Sequence, residues 1–145
     1  MTDHAGLYIH IPFCRSRCQY CGFYSETRCC TDAYVKAAVR EMELRSTDGA
    51  PYLFDTVYFG GGTPSCLSPG QTEELLSAAR KWFPVSDHAE ITMEMNPCDM
   101  SDPWLRNIYG LGVNRISVGV QSQRDDLLIR IGRRHTAAEA RSAVR

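Results

Sequence analysis

Four times in this chain an apolar run of strand length is followed by a segment of helical character. That alternation limits the fold more than any other feature. The runs are GLYIHI (6–11), TVYFG (56–60), EITMEM (90–95) and NRISVGV (114–120). Their β-branched and aromatic residues suit a pleated, half-buried surface. Helix signals lie between them. From Thr31 onward, Val35, Ala38, Val39 and Met42 recur on one face at helical spacing. Ser68, Pro69 and Gln71 supply an N-cap, a first-turn proline and the third-position amide of a capping box, and Pro84 stops that helix. Ser101 is placed to cap a short helix ending near Gly110. Ser122 with Asp125, and Thr136 with Glu139, each set an acid three residues past a hydroxyl, which marks two more helix starts. The last helix is expected to run to Arg145. Such repeated units give parallel strands joined by right-handed crossovers, so the expected class is α/β. A closed barrel needs about eight units. Residues 1–145 therefore read as the N-terminal half of a barrel domain and a fragment of a longer chain. A complete small open sheet is the alternative.

Composition narrows the function classes. The 145 residues are 43% hydrophobic and 23% charged, ordinary values for a globular chain with a real core. A net charge of −1, with acids and bases interspersed, argues against nucleic acid as a partner. No apolar run approaches the roughly 18 residues of a membrane helix. Met1 to His4 lack the basic flank and apolar stretch of a signal peptide. These features point to a reducing, cytoplasmic setting, where clustered cysteines bind metal more often than they form disulfides. An odd total of seven cysteines agrees with that.

Cys14, Cys18 and Cys21 form C-x3-C-x2-C within IPFCRSRCQYCGFYS (11–25), on the loop that leaves the first strand. In parallel α/β folds ligands bind at that edge of the sheet. Structural zinc usually takes two separated ligand pairs. A dithiol redox site takes one C-x-x-C at a helix start. An all-cysteine [4Fe–4S] cluster takes four thiolates, so three would leave one iron open to an outside ligand. The triplet points to this last case. Arg15 and Arg17 have two readings, charge compensation for the thiolates or solvated surface, of which surface is the commoner. Cys29 and Cys30 read as ordinary residues before a helix rather than a fourth ligand. Cys66 and Cys98, just past the second and third strands, read as packing residues near the same edge.

On these residues the chain resembles the radical S-adenosylmethionine (SAM) enzymes. The blocks LYIHIPFCRSRCQYC, VYFGGGTPS, EITMEMNP, GVNRISVGVQS and GRRHT resemble the HemN/HemW family, from about Leu7 to Thr136. That family holds oxygen-independent coproporphyrinogen III oxidases and heme chaperones, in chains well over twice this length. The resemblance implies a radical SAM (β/α) barrel. It implies that Cys14, Cys18 and Cys21 hold a [4Fe–4S] cluster whose open iron takes the amino and carboxylate groups of SAM. Reductive cleavage of SAM would then release a 5′-deoxyadenosyl radical. Tyr8 and Tyr20 match aromatic positions beside SAM and cluster. Gly61, Gly62 and Thr63, following Gly60, match the edge that holds the methionine end of SAM, where glycine lets a backbone come close. Glu94, an acid in an apolar run, needs a partner if buried and matches a contact to the SAM amino or ribose groups. Gln121 and Arg133 match contacts to the ribose and carboxylate ends, Arg133 as a bidentate donor. Arg134 reads as surface. His10, alternating with Ile9 and Ile11, is a further candidate, and His135 is left without a role.

The oxidase pattern carries a fourth cysteine one residue after the third. Here Gly22 and Phe23 follow Cys21. The departure favours a chaperone that binds heme and passes it to an acceptor protein, with an electron donor for the cluster. The alternative is oxidative decarboxylation of coproporphyrinogen III. Another radical SAM reaction, such as methyl transfer, is a third reading. Heme or porphyrin contacts are expected beyond residue 145.

Overall fold

Alternation within each strand decides the architecture. The computed structural model describes residues 3–27, 31–49 and 51–145. In chain order it has β1 (Asp3–Ile11), α1 (Thr31–Leu44), a single turn α2 (Ser46–Gly49), β2 (Tyr52–Gly61), α3 (Pro69–Trp82), β3 (Val85–Met95), α4 (Asp102–Gly110), β4 (Arg115–Val118), α5 (Asp125–Arg130) and α6 (Ala137–Ala143). Short 3-10 turns at Pro64–Cys66 and Pro97–Asp99 leave β2 and β3. The sheet is parallel throughout, in the order β1-β2-β3-β4. Ile11 pairs with Gly61 and Met95 with Val118, so the strand ends lie along one edge.

Ile9, Ile11, Val57, Phe59, Ile91, Met93 and Met95 are buried and share one face of the sheet. They form one core with Val35 and Met42 of α1, Leu75, Leu76 and Ala79 of α3, and Ile108 of α4. Each fully buried side chain of this size stabilises the fold by about 1.5–3 kcal/mol. The intervening residues make the other face polar. Tyr8 stacks on Tyr58 with ring centres 6.0 Å apart, Tyr58 donates to Glu94 at 2.8 Å, and Arg115 donates to Thr92 at 3.3 Å. An ordinary (β/α) barrel fills this face with branched apolar side chains. Here it is a hydrogen-bonded lining instead.

The capping box of α3 forms as expected: Gln71 N–H donates to Ser68 Oγ at 3.2 Å, and Ser68 N–H to Gln71 Oε1 at 2.8 Å. The Gln71 amide also donates to Thr31 and Asp32, tying α3 to the start of α1. The Thr136–Glu139 box forms at α6 in the same way.

Several local expectations are corrected. Ser122 does not cap α5; the N-cap is Arg124, and Ser122 Oγ accepts from the Arg124 N–H. Asp125 instead accepts from Ala137 N–H at 2.7 Å, because a free N–H at the start of α6 is an equally good donor. Ser101 holds the N-cap position of α4 without a side-chain cap bond. Strand β4 is shorter than expected. Asn114 lies outside it and uses its side chain to accept from Ile91 N–H at 2.8 Å and to donate to the Ala89 carbonyl at 3.0 Å. Helix α6 ends at Ala143 rather than running to Arg145. Cys29 and Cys30 lie outside the described residues.

Candidate functional site

The loop that leaves β1 is anchored before it presents any thiol. Cys14 N–H donates to the Glu26 carbonyl at 2.9 Å and Glu26 N–H to the Pro12 carbonyl at 2.6 Å, closing the loop with a parallel bridge between Phe13 and Glu26. Phe13 is buried and meets the Tyr34 ring edge-on at 5.4 Å. His10, on the polar face of β1, bonds the Tyr24 carbonyl through Nε2 at 3.2 Å and the Tyr8 hydroxyl through Nδ1 at 3.2 Å. Since Nε2 must donate to the carbonyl, Nδ1 accepts from the tyrosine. His10 thus serves the loop's far limb.

A cavity of about 330 Å³ opens at the C-terminal edge of the sheet, within the size range of small-molecule sites. Loops from all four strands and the segment after α5 line it. Cys14, Cys18 and Cys21 all reach it, each half-buried. Cys14 Sγ accepts from Thr63 Oγ1 at 3.5 Å and Cys18 Sγ from Arg133 Nη1 at 3.4 Å. No disulfide joins the described cysteines. Among the described residues, no three His, Cys, Asp or Glu side chains gather tightly enough for a single metal ion.

The remaining candidates divide. Glu94 lines the cavity and accepts from the Tyr58 hydroxyl and from Gly61 N–H at 3.2 Å. Arg133 donates through Nη2 to Asn96 Oδ1 and to the Gly119 carbonyl, both at 2.5 Å, while its buried Nε has no partner. Gln121 lines the cavity with φ of 67°, the positive-φ exception among described non-glycine residues. Such a backbone is held only where its surroundings over-determine it. His135, buried, bonds the preceding Val120 carbonyl at 3.0 Å. Tyr20 lines the cavity, its phenol pushed up by burial while the Arg133 charge opposes. Tyr8 does not line it. It touches Tyr58, which in turn bonds Glu94, and burial together with the Glu94 charge raises its phenol.

The glycines have a packing use in addition to lining the cavity. A Cβ on Gly61, which has φ of 111°, would lie 2.5 Å from the His10 ring. One on Gly62 would lie 2.7 Å from the Phe13 carbonyl oxygen. Gly61 leaves room for His10 of β1 and Gly62 for the cysteine loop, and both line the cavity.

Arg134 is not plain surface, and Arg15 has a partner. Both meet the Asp99 carboxylate, at 3.4 and 3.6 Å. Cys98 is exposed at the cavity rim and accepts from Arg134 at 3.2 Å, whereas Cys66 packs against the core. Asn96, Asp99 and Gly119 were not legible as site residues. Only the position of Asn96 at a strand end could have pointed to it.

Parallel strand–helix units carrying a three-cysteine loop over their C-terminal edge define a class, and comparison agrees: the family model described as the Radical SAM superfamily matches residues 8–145. The chain belongs to the radical SAM superfamily. It is 41% identical over 136 residues to the heme chaperone HemW of Synechocystis, covering 88% of this chain and 32% of that protein. It is 38% identical over 142 residues to the heme chaperone HemW of Escherichia coli, covering 96% and 38%. Among solved structures, coproporphyrinogen III oxidase (HemN) from Escherichia coli matches with a TM-score of 0.88 at 27% identity, over 99% of this chain and 33% of that one. The chain thus spans about a third of the length of these relatives. Membership implies SAM and a [4Fe–4S] cluster as cofactors. Among the described residues, no helix is long and apolar enough to cross a membrane.

Proposed function

We propose that this chain is the cluster- and SAM-binding part of a HemW-type heme chaperone, which binds heme and transfers it to an acceptor protein in the cytoplasm. One observation carries the cofactor half of this reading. Three half-buried thiols on an anchored loop share a cavity with a guanidinium whose buried Nε is unsatisfied. Thiolates suit iron–sulfur clusters. An unsatisfied guanidinium N–H suits a carboxylate, and Glu94 across the cavity suits an amine or hydroxyl. The donor set therefore fits a cluster together with SAM.

In this reading Cys14, Cys18 and Cys21 hold the cluster, with Thr63 and Arg133 donating to two of the sulfurs. Arg133 takes the SAM carboxylate. Glu94, fixed by Tyr58 and Gly61, takes the amino or ribose groups, and Gln121 the ribose. Tyr20 and the Gly61–Gly62 turn close the walls, while Tyr8 acts through Tyr58 and Glu94. When bound, cluster and SAM supply one-electron chemistry, for which an electron donor is required.

The heme half rests on the HemW relatives and on Phe23, which presents an exposed ring at the cavity instead of a thiol. The likeness to HemN supports the second reading, oxidation of coproporphyrinogen III. The full protein, reconstituted without oxygen, is expected to hold about four iron and four sulfide. It should take up heme with a Soret band and leave coproporphyrinogen unchanged. Turnover to protoporphyrinogen overturns the chaperone reading. Survival of the cluster absorption in Cys18→Ala overturns the ligand assignment.

A further inference from the structure

Asp99 stands in the 3-10 turn after β3, and its side chain is 1% exposed. A carboxylate so buried persists only when its charge is paired and its oxygens are bonded. The partners come from three other segments and from the start of its own turn. Arg15, in the cysteine loop between two of the thiols, lies 3.6 Å away, and Arg134, beside Arg133, lies 3.4 Å away. Ser65, just past the glycine turn, donates at 3.1 Å, and Asn96 Nδ2 at 3.5 Å. Asn96 also accepts from Arg133 and donates to Thr63 at 3.3 Å. Each partner therefore sits on, or next to, a segment that lines the cavity. Arg17, on the same loop as Arg15, forms no ion pair among the described residues.

From this convergence we propose that Asp99 is a positioning residue. It locks the cysteine loop to the Arg133–Arg134 segment and so sets the separation between the thiols and the guanidinium. The inference rests on the cofactor reading above. It adds that cluster retention and SAM binding share one electrostatic tie, centred on a buried carboxylate and reached by two arginines from the surface. Groups that orient ligands in this indirect way typically change metal or ligand affinity by about 10–100-fold when altered.

The test uses the full protein, reconstituted without oxygen, with Asp99→Asn as the main variant. Asparagine keeps the size and one acceptor oxygen but loses the charge. Two quantities are read: the SAM concentration at which the reduced cluster's EPR signal shifts, and the rate of iron loss to a chelator. Asp99→Asn should raise the SAM midpoint by about 10-fold or more and speed iron loss by a similar factor. Arg134→Gln should act in the same direction, and the double variant should exceed the stronger single one only slightly, since both remove one interaction. Arg106→Gln, at an exposed arginine of α4 away from the cavity, should titrate like wild type. A wild-type SAM midpoint and iron-loss rate in Asp99→Asn overturn the proposal, even if that variant melts at a lower temperature. If Asp99→Asn fails to fold, Arg15→Gln and Arg134→Gln decide by the same two readings. Failure of the wild-type protein to assemble a cluster or respond to SAM would instead refute the underlying reading, a distinct outcome.

Discussion

Replacing Gly62 by alanine should damage the cluster site through packing alone. A Cβ there would lie 2.7 Å from the Phe13 carbonyl oxygen and 3.0 Å from both the Ile11 carbonyl oxygen and the Phe13 carbonyl carbon. All three are backbone atoms, so no rotamer change relieves the contact. Ordinary contact begins at 3.4 Å, and 3.4 minus 2.7 leaves 0.7 Å to open. The same backbone is held closed by the Gly62 N–H bond to the Ile11 carbonyl at 2.8 Å. Overpacking of this kind costs about 1–3 kcal/mol. Phe13 immediately precedes Cys14, so the displacement reaches a ligand position. Metal–ligand distances tolerate only about 0.2 Å. Gly22→Ala is the control: it lies in the cysteine loop itself, and its added methyl meets nothing within 4 Å. Iron and sulfide per chain and thermal denaturation of the reconstituted protein are the assays. Gly62→Ala should lose most of its iron and melt earlier, while Gly22→Ala behaves as wild type. Equal iron content and equal melting in the two variants would refute the reasoning.

Other outcomes follow from the same geometry. Arg133→Lys keeps the charge but loses the planar fork whose Nη2 reaches Asn96 and Gly119 while Nη1 reaches Cys18. Its SAM affinity, measured by equilibrium binding, should fall about 10–100-fold, and unchanged affinity would remove Arg133 from the site. Glu139 is held below its ordinary value of 4.5, first by the Thr136 backbone N–H and then by its hydroxyl. A depressed acid stabilises the folded state above its ordinary value, and that contribution fades as pH falls below it. Amide protection factors in α6, corrected for the intrinsic pH dependence of exchange, should accordingly fall on acidification through that range in wild type, and fall less in Glu139→Gln.

The parts of this protein that could be read from the chain are those whose signal is local. A strand shows in residues two apart and a helix in residues three and four apart. Thus β1, α1 and the capping boxes at Ser68 and Thr136 lay open to inspection, and the C-x3-C-x2-C spacing limited the centre it could hold. The Ser122–Asp125 pair misled because the carboxylate of Asp125 bonds a donor twelve residues away at Ala137. Gly61 and Gly62 invited a ligand-approach reading, and no local pattern showed that the space a Cβ would need is also taken by His10 and Phe13 from the neighbouring strand and loop.

By itself, then, the sequence determined the order of strands and helices, the cysteine loop and its place after β1. Tertiary structure alone decided which polar groups meet there. Parallel pairing brings the ends of four strands to one edge, so Arg15 finds Asp99, Gly61 finds Glu94 and Cys18 finds Arg133 across long stretches of chain. No local pattern marks such pairs, because register and crossover, not spacing along the chain, set their separation. "CRSRC" identifies the thiols; the fold supplies the carboxylate and guanidinium groups that hold them in place.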